Sequence, residues 1–97
     1  MKKLSKIYKE LGIKFRFPIE IKDAKGKKTY FENKSGYWWR AEYNANGKET
    51  YREDIEGYWW RREYNENGKE TYFETSNGYW RRYEYNANGN LVASEGS

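Results

Sequence analysis

Apolar and polar positions alternate along most of this chain with the two-residue period of a half-buried strand. Within Tyr37 to Asn44, the alternation places Trp38, Arg40 and Glu42 on one face and Tyr37, Trp39, Ala41 and Tyr43 on the other. The first set returns as Trp59, Arg61, Glu63 and again as Trp80, Arg82, Glu84. Helical periodicity occurs only at the start. There Leu4, Ile7, Tyr8 and Leu11 follow the i, i+3, i+4, i+7 spacing, and Gly12 stands where a C-terminal cap belongs. This predicts one short amphipathic helix over 1–12. Next, Ile13, Phe15, Phe17, Ile19 and Ile21 line one side of a first strand, and the helix is expected to dock there. Pro18 has no N–H to donate, which suits an edge strand.

The alternation is punctuated with a strict period. Gly36, Gly57 and Gly78 are 21 residues apart, and so are Asn46-Gly47, Asn67-Gly68 and Asn88-Gly89. Stepping back once more aligns Gly26-Lys27-Lys28-Thr29-Tyr30 with Gly47-Lys48-Glu49-Thr50-Tyr51, so a fourth, degenerate copy precedes the other three. Asn-Gly between strand-like runs is a hairpin signal, because both residues tolerate the positive φ of a type I′ turn or a G1 bulge, and the second corner of each unit also ends in Gly. The fold expected is mostly β: an antiparallel meander of about eight strands from four 21-residue hairpin repeats, with one short N-terminal helix. The strands fall near 13–23, 27–33, 37–44, 48–54, 58–65, 69–75, 79–86 and 90–95. All 97 residues form a single domain: helix 1–12, degenerate first repeat 13–35, and repeats 36–56, 57–77 and 78–95.

If the loop is the two-residue Asn-Gly type, it sets Arg40 opposite Glu53 and Arg61 opposite Glu74. It also sets Tyr43 and Tyr64 opposite Thr50 and Thr71. A slip of one residue would exchange the faces, so the pattern alone leaves the register open.

Composition narrows the chemistry. Eleven Tyr, five Trp and four Phe must supply the core, because aliphatic residues are few. With neither Cys nor His, the chain has no disulfide, thiolate or imidazole chemistry. No nucleophile motif or phosphate loop occurs, and no carboxylate lies in an apolar context, so no catalytic residue, cofactor or metal site is expected. The net charge of +4 is a mild bias toward anionic partners. Met1 to Lys14 lacks an apolar run of signal-peptide length and no stretch approaches a membrane span; a cytoplasmic protein with no membrane partner is expected.

The candidate binding residues are the recurring rings and guanidiniums. The regular face offers Trp38, Trp59, Trp80, Arg40, Arg61 and Arg82 as a brace or as a recognition strip. The other face diverges between copies, with Trp39, Trp60 and Arg81 at one position and Ala41, Arg62 and Tyr83 at another. Such divergence marks either partner-specific contacts or drift. The string Gly-Tyr-Trp-Trp-Arg-x-Glu-Tyr-Asn-x-Asn-Gly-Lys-Glu-Thr-Tyr, at 36–51 and 57–72, resembles small tandem-repeat proteins of bacteriophages and prophages over roughly 13–92. That resemblance implies a mobile-element origin. By analogy with compact phage accessory proteins, which often dock on host machinery, the resemblance implies an anti-CRISPR or other anti-defence inhibitor. Three functions compete: a protein-binding inhibitor of a host or defence-system protein, a single-stranded nucleic-acid binder that stacks bases on Trp and Tyr, and a carbohydrate or cell-wall binder. The carboxylates among the rings weigh against the second, and the lack of an export signal against the third. Pairing of two copies into a homo-oligomer, through a ring surface or a sheet edge, is a further possibility.

Overall fold

The structure, a computed structural model, describes residues 3–97. Helix α1 (Leu4–Glu10) is followed by strands β1 (Ile19–Lys22), β2 (Lys28–Glu32), β3 (Trp38–Tyr43), β4 (Glu49–Asp54), β5 (Trp59–Tyr64), β6 (Glu70–Thr75), β7 (Trp80–Tyr85) and β8 (Leu91–Gly96). All eight strands form one antiparallel sheet in chain order, the expected meander. The helix ends as its glycine predicts. Gly12 takes φ 72°, its N–H bonds the Lys9 carbonyl, and the Ile13 N–H reaches back to Tyr8, which is the Schellman arrangement.

Seven turns of one design join the strands. Each starts at Asp23, Asn33, Asn44, Asp54, Asn65, Thr75 or Asn86 and closes three residues later on a glycine whose N–H donates to the first residue's carbonyl at 2.9–3.1 Å. All seven glycines have φ between 79° and 95°, and apart from Gly12 no other described residue has positive φ. Of the two loops the Asn-Gly signal allows, the two-residue one is not adopted. Asn46, Asn67 and Asn88 keep ordinary φ, and only the glycine enters the left-handed region, as in a type I turn closed by a G1 bulge. The residue that holds the turn is the earlier Asn: Asn44 Oδ1 accepts the N–H groups of Asn46 and Lys48, both at 3.0 Å. Asp23, Asn65 and Asn86 repeat the device.

The longer loop is compensated two residues into the strand. Glu42 faces Tyr51, but Tyr43 faces Glu49, so Thr50 is left over as a β-bulge; Tyr64 likewise faces Glu70 and leaves Thr71 over. Hence the Tyr–Thr pairs do not form. Beyond the bulge the register agrees with expectation, with Arg40 opposite Glu53 and Arg61 opposite Glu74.

The first strand is shorter than its alternation suggests. Residues 13–18 stay outside the sheet, where Pro18 has no N–H for a ladder, and Phe15 turns instead to Tyr8 and Phe17 at ring distances of 5.7 and 5.2 Å. Of the five apolar residues on that side only Ile19 is buried. It joins Tyr30 and Trp38 in a small core against which Leu4, Tyr8 and Phe15 pack.

This core occupies one end of the molecule, and elsewhere the sheet is a single layer. The radius of gyration is 17.2 Å and the extents are 54 × 30 × 18 Å. A compact chain of this length has a radius near 13 Å, by the scaling for globular domains. Neither face is buried along its length.

The helix is attached at its N-terminus. Lys3 offers no side-chain cap, and the sheet supplies one: the Leu4 N–H donates to the Tyr30 hydroxyl at 3.1 Å and the Ser5 N–H to Glu32 Oε1 at 3.1 Å. Glu32, 1% exposed, also accepts from the Ser5 hydroxyl and, at 2.9 Å, from the Tyr30 hydroxyl. A carboxylate here also meets the positive end of the helix dipole. Burial, with the neighbouring Glu32, pushes the Tyr30 phenol up to about 12.

Two predictions follow from this framework. Gly57 has φ 84° with open space around it, so in Gly57→Val the penalty is backbone strain; a loss of about 1 kcal/mol or more is expected in denaturant unfolding. Tyr30 holds its proton more tightly folded than unfolded, where the pKa is 10.0. Its contribution is therefore complete below pH 10 and is lost as pH rises toward about 12. Thermal melts across that window should fall more steeply for the native chain than for Tyr30→Phe.

Candidate functional site

The register assigns every candidate side chain to one of two faces. Trp38, Arg40, Trp59, Arg61, Trp80 and Arg82 share one with Tyr30, Glu32, Tyr51, Glu53, Tyr72 and Glu74; we call it the ladder face. Trp39, Trp60, Arg62, Arg81 and Tyr83 lie on the opposite face with Phe31, Ala41, Arg52 and Phe73, which we call the variable face. The sequence-predicted residues are thus divided into two surfaces on opposite sides of one sheet.

On the ladder face the pattern is ring, ion pair, ring. Tyr30 stacks on Trp38 and Tyr51 on Trp59 at 6.2 and 6.3 Å. Arg40 Nε bonds Glu53, Arg61 Nε donates to Glu74 Oε1 at 2.7 Å, and Arg82 Nη1 donates to Glu95 Oε1 at 2.9 Å. Each guanidinium also lies over a ring, 5.1 Å from Tyr51, 5.4 Å from Tyr72 and 5.8 Å from Trp80 respectively. The hydrogen bonds to Glu53 and Glu74 hold Arg40 and Arg61 above the ordinary guanidinium value. Every arginine of this face has a carboxylate and a ring, an arrangement that braces the layer.

Glu32 begins this carboxylate row but has no arginine opposite it, because Ile19 stands where the later copies place Arg40 and Arg61. Ile21 likewise replaces the glutamate of Glu42. Those two exchanges make an apolar stretch of the ladder face, and α1 packs at its Ile19 end, beside Tyr30 and Trp38. Sequence reasoning missed Ser5, Tyr30 and Glu32 as a connected group; the isoleucines at 19 and 21 were the signal.

The variable face is built differently. Phe31 stacks on Trp39 at 6.1 Å, and Arg52, opposite the buried Ala41, lies 4.3 Å from the Trp39 ring. Arg62 sits between Trp60 and Phe73, at 4.7 and 4.9 Å. The bulge turns Glu49 toward Arg52 at 2.7 Å and Glu70 toward Arg62 at 3.1 Å; the second is an ion pair outside hydrogen-bond alignment. Arg81 has no carboxylate partner among the described residues. One row of this face is fixed and structural: the Tyr43, Tyr64 and Tyr85 hydroxyls donate to the Lys28, Glu49 and Glu70 carbonyls at 2.7, 3.1 and 2.6 Å.

In β2 to β7 the copies agree on the ladder face and differ on the variable one. Tyr30/Tyr51/Tyr72, Glu32/Glu53/Glu74, Trp38/Trp59/Trp80, Arg40/Arg61/Arg82 and Glu42/Glu63/Glu84 each keep one residue type. Phe31/Arg52/Phe73, Trp39/Trp60/Arg81 and Ala41/Arg62/Tyr83 do not. The lysines at the hairpin ends are not free charges either. Lys48 Nζ donates to the Gly68 carbonyl at 2.7 Å and Lys69 Nζ to that of Gly89, linking one Asn-Gly turn to the next.

No protein-family profile matches the chain, and no curated protein matches it. Among the described residues no helix is long and apolar enough to cross a membrane.

If the ladder face is a brace, its ion pairs couple. A double-mutant cycle on Arg61 and Glu74, both partly exposed, should give a coupling of about 0.5 kcal/mol that shrinks in high salt. Denaturant unfolding of the four proteins measures it.

Proposed function

We propose that this is a non-enzymatic binding protein that docks on a protein partner through the variable face, centred on Trp39, Trp60, Arg62, Arg81 and Tyr83. The observation that supports it most is the segregation of copy-to-copy differences. Identical side chains brace one face, while the positions that vary gather on the other as half-exposed rings and guanidiniums. Trp, Tyr and Arg are the residues that dominate binding hot spots, and a rigid sheet holds them at low entropic cost. Arrays of repeats use variable positions on a constant framework to fit one partner. The resemblance to phage tandem-repeat proteins suggests the partner class: host machinery such as a CRISPR effector or another defence complex, met in the bacterial cytoplasm and inhibited by occlusion. Base stacking on the same rings is a weaker account, since Glu49 and Glu70 already neutralise Arg52 and Arg62, two of the three arginines a phosphate chain would use.

Affinity capture from nuclease-treated host extract, with native, Trp60→Ala and Arg81→Ala baits, tests the proposal. Each bait is first checked by thermal melting. A specific protein band is expected with the native bait, and Trp60→Ala should weaken binding to the purified partner by about 2 kcal/mol or more. Arg81→Ala, which disturbs no ion pair, should weaken it as well. Undiminished binding by both folded variants, or a captured species that nuclease removes, overturns the proposal.

A further inference from the structure

The ladder face offers one kind of ring shelf more than once, and only the first shelf is covered. Tyr30 and Trp38 lie under α1 and are 4% and 7% exposed. Tyr51 with Trp59, and Tyr72 with Trp80, are the same side chains in the same register, left half-exposed. Their surroundings differ in one respect. Isoleucines flank the covered shelf, whereas the bare shelves carry the exposed carboxylates of Glu42, Glu63 and Glu84, about 10 Å apart on every second strand. A second layer on the bare shelves therefore has to be basic as well as apolar.

The chain itself contains such a layer. Residues 1–35 hold eleven basic and four acidic residues, a net of +7, while residues 36–97 hold eight and eleven, a net of −3. Lys6 and Lys9, one turn apart on α1, are exposed, and Lys14 and Arg16 follow in the segment after the helix. Between them Leu11 and Ile13 are 69% and 48% exposed. One end of the molecule is thus cationic with exposed aliphatic side chains, and the other end of the same face is anionic with half-exposed rings.

We propose that two copies pair ladder face to ladder face in antiparallel orientation, so that the basic end of each lies on the bare, acidic shelves of its partner. The helix stands above the sheet at one end only, leaving a step that the partner's helix fills. Both halves of the contact form at once, so the assembly closes as a two-fold dimer. The exposed area also suits it. The chain exposes 6905 Å², against about 5,900 Å² for a compact monomer of its mass. The excess of about 1,000 Å² is the scale of the roughly 800 Å² per partner that a stable interface removes. The charges steer the encounter and the rings and aliphatic side chains hold it. The variable face stays outside the contact, so the inference does not depend on what docks there.

Light scattering coupled to size exclusion, with Lys6→Glu/Lys9→Glu and Glu63→Lys/Glu84→Lys double variants, tests it. The native chain should run at twice its 11.8 kDa at high micromolar concentration in low salt, and shift toward one chain as salt rises. Each double variant, checked by thermal melting, should be monomeric because like charges then meet at both ends. An equimolar mixture should recover the dimeric mass, since both contacts become complementary. A native monomer under these conditions, variants that dimerise as the native chain does, or a mixture that stays monomeric overturns the proposal. So does a mass that grows past two chains with concentration, which marks an open head-to-tail series. A monomer whose basic end instead binds a single-stranded oligonucleotide, with affinity lost in Lys6→Glu/Lys9→Glu, would assign that end to nucleic acid.

Discussion

A one-layer sheet has no interior, so its side chains can be shielded only by lying flat against those of neighbouring strands. This constraint governs the molecule from β3 onward. Rings cover large area with few rotatable bonds, and they pair well with a flat guanidinium. The recurring unit is accordingly Trp beside Arg beside Glu, with a Tyr on the adjoining strand. No single contact in it is strong. Cross-strand pairs contribute about 0.2–1 kcal/mol each, and order comes from repeating them on every hairpin.

The other end shows what happens when the pattern is broken. Replacing the arginine position by Ile19 removes the partner of a carboxylate that the strand still carries, and Glu32 ends up 1% exposed. An unpaired carboxylate there would be costly. The helix resolves this: its unsatisfied N–H groups at Leu4 and Ser5 need acceptors, while Tyr30 and Glu32 need donors. A short helix of seven residues, marginal alone, is fixed in place by that exchange and by Leu4 and Tyr8 on the rings below.

Constant and variable positions are separated by the two-residue period of the strand. Side chains that must be alike for the hairpins to stack are directed to one face, and those free to differ are directed to the other. Tyr43, Tyr64 and Tyr85 are constant on the variable face because their hydroxyls tie each hairpin to the one before it, and Tyr37, Tyr58 and Tyr79 at the strand entries are constant as well. Where a fold leaves both faces open, the rings that stabilise it also remain available to other molecules, and an aromatic surface on each side is what a partner would meet.

Much of this was local and therefore legible. The 21-residue period, the positive-φ glycines, the helix with its Gly12 cap and the Arg40–Glu53 and Arg61–Glu74 pairs each depend on a few residues near in sequence. The turn type was less so, because Asn46-Gly47 suits a two-residue loop as well as a three-residue one. The choice was made by Asn44, whose side chain binds the turn from outside the dipeptide. That choice in turn placed the bulge at Thr50 and brought Glu49 onto the face of Arg52. Tertiary structure alone decided that the sheet stays one layer thick, that Ile13 to Pro18 leaves it, and that Glu32 is buried under the helix. The reason is physical: alternation records which side chains share a face, but whether anything covers that face depends on contacts between segments far apart in the chain.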